Sequence, residues 1–368
     1  MGAYFVDVSK EQALAALAAV VDPHLEKDLV AAGVVRDIVI ESGGRVVVKI
    51  VLAYPAKGYE AQLAGDIRQA VSAVSGVREV VANIAVDIAS RAVQAGVKLL
   101  DGVKNTIAVA SGKGGVGKST VSVNLALALA AEGACVGVLD ADIYGPSQPR
   151  MLGVSGKPDT KDGKSLEPKE NYGVQAMSIG LLVDEETPMI WRGPMATQAL
   201  EQLLRDTRWR ALDYLIIDLP PGTGDIQLTL AQRIPVSGSV IVTTPQDIAL
   251  LDARKAYKMF EKVKVPVLGV VENMGTHICS RCGHQEPIFG EGGGRKMADD
   301  YHIRFLGSLP LAMRIREDAD SGRPTVVAEP DGAIAQSYRA IARTVAAHLS
   351  MQQKEYASKF PNIVIENN

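Results

Sequence analysis

Two lysines and a serine set among glycines are the residues of this chain best suited to chemistry. Residues 111–120 read S-G-K-G-G-V-G-K-S-T and fit G-x-x-x-x-G-K-[ST], with Gly112, Gly117, Lys118 and Ser119 at the fixed positions. A phosphate chain needs a concave row of backbone N–H groups, and glycines let the main chain close around it. Gly112, Lys113, Gly114, Gly115, Val116, Gly117, Lys118, Ser119 and Thr120 would form that cradle. Lys118 would neutralise β- and γ-phosphate charge, and the Ser119 hydroxyl would reach Mg²⁺. An apolar strand signal at 106–110 precedes the loop and a helix signal at 121–131 follows it. The loop would therefore open a helix N-terminus, where the dipole favours anions. A glycine turn that binds nothing accounts for neither the full match nor its setting.

Carboxylates stand where such a site needs them. Residues 139–146, L-D-A-D-I-Y-G-P, follow a strand signal and carry Asp140 and Asp142. A carboxylate there can accept a hydrogen bond from the attacking water or hold Mg²⁺ through its water shell. At 215–218 an apolar run ends in Asp218, a Walker B pattern that would place the aspartate beside the Mg²⁺ on Ser119. Pro220-Pro221-Gly222 beyond it is a stiff, bent segment suited to sensing the γ-phosphate. Asn273 also ends a strand, and its amide can pair with a purine edge.

Cys279 and Cys282 form a C-x-x-C, in which both sulfurs can face one metal centre. A tetrahedral zinc or a four-iron cluster needs four ligands. His277 and His284 could complete a zinc site within one chain. A redox dithiol lacks its usual βαβ setting. The other solution is symmetric: two chains about a two-fold axis would supply four thiolates to one bridging cluster. The third cysteine, Cys135, falls in a strand signal and reads as a small buried hydrophobe.

The elements that position these residues follow from periodicity. From residue 106 onward apolar strands (135–139, 214–217, 239–243, 267–271, 305–309) alternate with helices, which implies a mostly parallel, doubly wound α/β sheet. Ligands in such sheets sit at the carboxyl ends of the strands, where the motifs fall. Before it, a helix at 10–21, a turn at 22–25, a hairpin of 34–40 and 45–53 about Ser42-Gly43-Gly44, a helix at 59–74 and a strand at 77–88 make a small α+β domain. The expected division is a small domain at 1–90, a linker at 91–105, a P-loop domain at 106–350 and a tail at 351–368. The end of that tail, 362–366, carries a short apolar run that can add an edge strand or stay loose.

Composition narrows the class. Over 368 residues the net charge is −3 and 47% of residues are hydrophobic. Neither nucleic acid nor an acidic membrane surface is suggested by that balance. No apolar run approaches the ~20 residues that cross a bilayer. Three cysteines, an odd number, with no signal-like N-terminus, point to a reducing, cytoplasmic setting.

The run K-G-G-V-G-K-S-T resembles the deviant Walker A of the MinD/ParA/NifH class. That resemblance implies that Lys113 reaches across a dimer to the partner's nucleotide, that Asp142 positions water, and that Asp140 helps hold the metal's water shell. Residues 308–310 and 318–324 resemble the loop that closes over adenine in that class. With D-L-P-P-G-T-G-D at 218–225 and E-N-M-G followed by C-x-x-C, the chain is similar to the Mrp/ApbC iron–sulfur carrier ATPases over nearly its whole length. This implies a homodimer that hydrolyses ATP, binds a labile [4Fe–4S] cluster between Cys279 and Cys282 of each subunit, and delivers it to apo iron–sulfur proteins. Val21-Asp22-Pro23, residues 32–35 and residues 75–77 resemble the small domain of iron–sulfur assembly proteins. That domain often carries a cysteine where this chain has Tyr54-Pro55-Ala56-Lys57, so a docking or regulatory module is expected. The rival readings are a MinD/ParA-like positioning ATPase and a zinc-stabilised scaffold. The positioning role needs a basic anchor, and the apolar stripe of residues 334–349 carries only Arg339 and Arg343.

Overall fold

Alternation of apolar strands and helices produces one large sheet in the computed structural model, which describes residues 8–182 and 193–352. Eight strands lie in the spatial order Phe305–Ser308, Val267–Glu272, Gly238–Thr243, Val103–Ala110, Leu212–Asp218, Val136–Asp140, Val174–Ser178 and Lys169–Asn171. All pair in parallel except the edge strand Lys169–Asn171, which runs antiparallel to its neighbour. The central strand Val103–Ala110 leads into the glycine loop and then into the helix Lys118–Ala131. That helix buries Val121, Val123, Leu125, Leu127 and Leu129, together with the polar Ser122 and Asn124, and so lies inside the core. Its neighbour is the last helix, Ala333–Ser350, whose Tyr338, Ile341, Val345 and Leu349 are buried. The apolar stripe of that helix therefore faces the core. No helix among the described residues is long and apolar enough to cross a membrane.

The N-terminal residues form a three-stranded sheet, Val35–Glu41, Arg45–Leu52 and Glu79–Val86, with helices Lys10–Leu17 and Glu60–Ser72. Gly43 and Gly44 both take positive φ (81° and 79°), the left-handed backbone that a tight hairpin requires. Several boundaries differ from expectation. The first helix ends at Leu17 rather than 21, because Val21–Asp22 pairs with Lys27–Asp28 and Asp22 Oδ1 accepts the His24 and Leu25 amides. The central strand begins at Val103, inside the expected linker. Cys135 is not buried: the strand starts at Val136, and Cys135 is exposed at its entry with its amide on Asp213. In the large sheet two strands went unforeseen, Lys169–Asn171 and Val174–Ser178, turned by Tyr172 and Gly173 at positive φ. The tail run at 362–366 lies outside the described residues.

The small sheet shares a continuous apolar core with the large one. A polar seam crosses the junction. Glu132, at the C-terminal cap of Lys118–Ala131, is buried and accepts from Arg339 Nε (2.7 Å), Arg343 Nη1 (2.6 Å) and the Gly58 amide (2.7 Å). Beside it His24, 7% exposed, takes Arg343 Nε on its Nε2 at 3.0 Å and meets Thr344 Oγ1 at 3.1 Å through Nδ1. A guanidinium only donates, so the ring proton belongs on Nδ1.

Burial, with the Arg343 charge behind it and Arg304 adding to it, pulls the pKa of His24 from 6.5 down to about 4; Asp22 and Glu132 oppose. The rings of Tyr54 and Tyr59 close over the imidazole edge-on. An unfolded histidine protonates near 6.5, so between there and pH 4 the unfolded chain binds more protons and stability falls as pH falls. The expected loss across that window is about 3 kcal/mol. A series of unfolding midpoints between pH 7 and 4 checks it: His24→Gln should flatten the slope relative to wild type, and parallel curves would remove His24 as the cause.

Candidate functional site

Three strands deliver the site to one end of the large sheet. Val103–Ala110 carries the glycine loop, Val136–Asp140 ends in Asp140, and Leu212–Asp218 ends in Asp218. Gly117 sits at φ 80°, and a Cβ there would strike the Asn273 side-chain amide; a Cβ at Gly112 would strike the Asp252 carbonyl. Glycine is required at both for close backbone approach.

Lys118 is 5% exposed, and its ammonium reaches Asp218 Oδ1 at 2.6 Å, Ser119 Oγ at 3.2 Å and Asp142 Oδ2 at 3.9 Å. Ser122 Oγ donates to the same Asp218 oxygen at 2.8 Å. The cation, the hydroxyl and two carboxylates expected from sequence thus converge on one point. Burial raises the pKa of Asp142, with Lys118 opposing and Asp218 reinforcing. A raised carboxyl is a better proton acceptor near neutrality. Lys113 differs from Lys118: it is partly exposed and, among the described residues, its ammonium has no hydrogen-bond or ion-pair partner.

Cys279 and Cys282 occupy the turn of a short hairpin, His277–Ile278 with Gln285–Glu286. Its geometry is local. Gly283 N donates to the Cys279 carbonyl at 2.9 Å, Cys279 N donates to the His284 carbonyl at 2.9 Å, and Gly283 takes φ 71°. The Arg281 and Cys282 amides, then the Cys282 thiol, donate toward the Cys279 sulfur and lower its pKa, favouring the thiolate that binds metal. Cys279 is half-buried and Cys282 exposed. Among the described residues no three His, Cys, Asp or Glu side chains gather into a group that could hold a metal ion.

One chain thus carries a lysine-bearing glycine loop and a strand-end aspartate on its large sheet, and a C-x-x-C on a separate two-stranded hairpin. The model of the NUBPL iron-transfer P-loop NTPases matches residues 102–346. The chain belongs to that family. A second model, for iron–sulfur cluster assembly proteins, matches residues 10–83. Among curated relatives, the iron–sulfur cluster carrier protein of Pseudomonas fragi is 59% identical over 76% of this chain and 98% of its own length. Its namesake in Escherichia coli K12 is 61% identical over 69% of each chain. A nucleotide-binding protein of Archaeoglobus fulgidus, solved in complex with ADP, superimposes with a TM-score of 0.54 at 40% identity, covering 63% of this chain and 90% of that one. This NUBPL-family chain is accordingly a P-loop ATPase with a mostly parallel α/β sheet.

Two further residues expected in the site are held by backbone groups of neighbouring loops. Asp140 is fully buried, and its oxygens accept from Asp142 N (3.1 Å), Ser147 N (2.9 Å), Gln148 N (3.0 Å) and Ser178 Oγ (3.2 Å). It ties down the 142–148 loop. Burial and the Asp218 charge push its pKa up. Asn273 donates one amide hydrogen to the Val116 carbonyl at 2.8 Å and so braces the glycine loop. The 318–324 segment lies against Gly153, with the Gly322 carbonyl accepting from the Tyr172 hydroxyl at 2.9 Å.

Sequence reasoning missed Ser122 and Gln148, both of which touch Asp218, and Glu272, which accepts the Gly294 amide at 2.7 Å. Only Ser122 had a local signal: it lies one helical turn after Lys118, on the same face.

Proposed function

We propose that this chain is an ATP-dependent iron–sulfur cluster carrier, acting as a homodimer that holds a [4Fe–4S] cluster between Cys279 and Cys282 of both subunits and passes it to apo iron–sulfur proteins. The observation that carries the coupling is Asn273. Its amide is bonded to Val116 inside the phosphate loop, and the chain reaches Cys279 six residues later. A loop that tightens around phosphates pulls on the segment that leads into the thiolate hairpin. The family names support the cargo: the relatives at 59% and 61% identity are called iron–sulfur cluster carriers.

Residues 112–120 cradle the triphosphate with their amides. Lys118 leaves Asp218 for the β- and γ-phosphates, since a polyphosphate offers it more charge than one carboxylate. Asp142 accepts a proton-side hydrogen bond from the attacking water, and the partner's Lys113 balances charge on the transferring phosphoryl group. Mg²⁺ fits the donors present, a hydroxyl on Ser119 beside the Asp218 carboxylate, both within reach of the Lys118 ammonium. When bound, the ion neutralises phosphate charge. The division into a small domain at 1–90, a linker and an ATPase domain at 106–350 gives the small domain a docking or regulatory task.

Anaerobic reconstitution with iron and sulfide tests the cargo. Wild type should turn brown and hold about four irons per dimer, and the Cys279→Ala/Cys282→Ala double variant should hold none. Equal iron in both proteins, or zinc in a colourless wild type, would remove the bridging cluster.

A further inference from the structure

Gln148 is 1% exposed and opens the short helix Gln148–Leu152. Its Nε2 donates to Asp218 Oδ2 at 2.9 Å and to the Ser119 carbonyl at 3.0 Å. One side chain therefore bridges the two motifs that would flank the metal. The amide orientation is set by chemistry: turning it over would aim Oε1 at a carboxylate and a carbonyl, two acceptors. As it stands, Oε1 is buried and has no donor, and the adjacent Ser147 Oγ is likewise unpartnered. A buried acceptor without a donor is uncommon and destabilising.

Asp218 explains the rest. Lys118 and Ser122 hold its Oδ1, and Gln148 alone holds its Oδ2 among the described residues. When Lys118 turns to phosphate, Gln148 and Ser122 are what keep the carboxylate aimed. We propose that Gln148 is a positioning residue of the magnesium site, holding Asp218 through Nε2 and presenting Oε1 to a water of the Mg²⁺ shell. Metal-bound waters only donate on their outer side, so they match the orphaned oxygen. This inference rests on the nucleotide–magnesium reading above and adds to it a residue outside the phosphate loop and the strand-end aspartate.

The test separates metal from nucleotide. ADP affinity of the full chain is measured in EDTA and in Mg²⁺, and binding of Mn²⁺ to the ADP complex is followed by electron paramagnetic resonance. In wild type, metal strengthens ADP binding. In Gln148→Met, which keeps the chain length without donor or acceptor, the metal-dependent gain and the Mn²⁺ affinity should fall about tenfold, while ADP affinity in EDTA stays at the wild-type value. Gln148→Leu, with a different shape, should give the same loss, which separates lost polarity from altered packing. A metal gain that survives in both variants overturns the assignment. So does an equal fall with and without metal, which marks a purely structural residue. A wild type that binds no ADP under either condition would instead sink the nucleotide reading itself.

Discussion

Lys113→Ala should lower ATP turnover about 10³-fold, the scale on which a cation supplied in trans acts in phosphoryl transfer, and leave the fold intact. The two lysines of the loop carry the argument. Lys118 is buried among Asp218, Ser119 and Asp142, whereas Lys113 reaches none of them and is partly exposed. Nothing within the described residues holds Lys113, so its removal should cost little stability. Its ammonium has no target among the described residues, and a second subunit would give it one. Mixing provides the decisive form of the experiment. Lys118→Ala should not hold nucleotide, and Lys113→Ala should hold it without turning it over. In a heterodimer the Lys118→Ala subunit still offers its Lys113 to the partner's ATP. A one-to-one mixture should therefore recover about a quarter of wild-type turnover, from statistical pairing of two-fold dimers. No recovery would place Lys113 in cis.

Legibility in the sequence followed the distance over which each residue works. The glycine loop was readable because its task is set by its own backbone: a curved row of amides forces glycine at fixed spacing. Asp218 was readable because a run of apolar residues ending in a carboxylate marks a strand end. The sheet was readable from the same alternation, with its edge pair at 169–178 missed because one of those strands is only three residues long. Gln148 and Ser122 were not readable as partners of Asp218, which lies 70 and 96 residues away, because only the strand order brings them together. Asp140 and Asn273 were found by type and position, but not the backbone groups they hold. Each ends a strand near the site, and sequence cannot tell a carboxylate or amide facing a ligand from one spent on a neighbouring backbone. Cys135 failed for a simpler reason: apolar periodicity runs through it, but the strand begins one residue later.

The second large effect concerns Glu132, which no motif marked. Glu132→Ala should destabilise the protein by about 3–5 kcal/mol, the cost of breaking one side of a buried charge network. A carboxylate at a helix C-terminus is opposed by the helix dipole, so its presence there needs compensation. Arg339 and Arg343 provide it at 2.7 and 2.6 Å, with side chains 16% and 12% exposed. The Gly58 amide fills the other oxygen, and the Lys57 amide takes the Glu132 carbonyl at 3.2 Å. A Cβ at Gly58 would strike the Arg339 guanidinium, which shows how closely the small sheet's loop is seated. Alanine at 132 leaves two guanidiniums facing each other without their anion and frees the 57–58 loop. Urea unfolding should then show the N-terminal sheet melting ahead of the rest, where wild type with its shared core melts as one unit. Replacing Glu132, Arg339 and Arg343 together with leucine, methionine and leucine should recover most of the loss, because the penalty lies in unpaired charge rather than in missing contact. A loss under about 1 kcal/mol for Glu132→Ala, the value of an exposed pair, would mean that water reaches the seam. The same helix carries the phosphate loop at its other end, so the seam fixes the base on which Lys118 and Ser119 are aimed. Loosening it should raise the KM for ATP before it changes the chemical step.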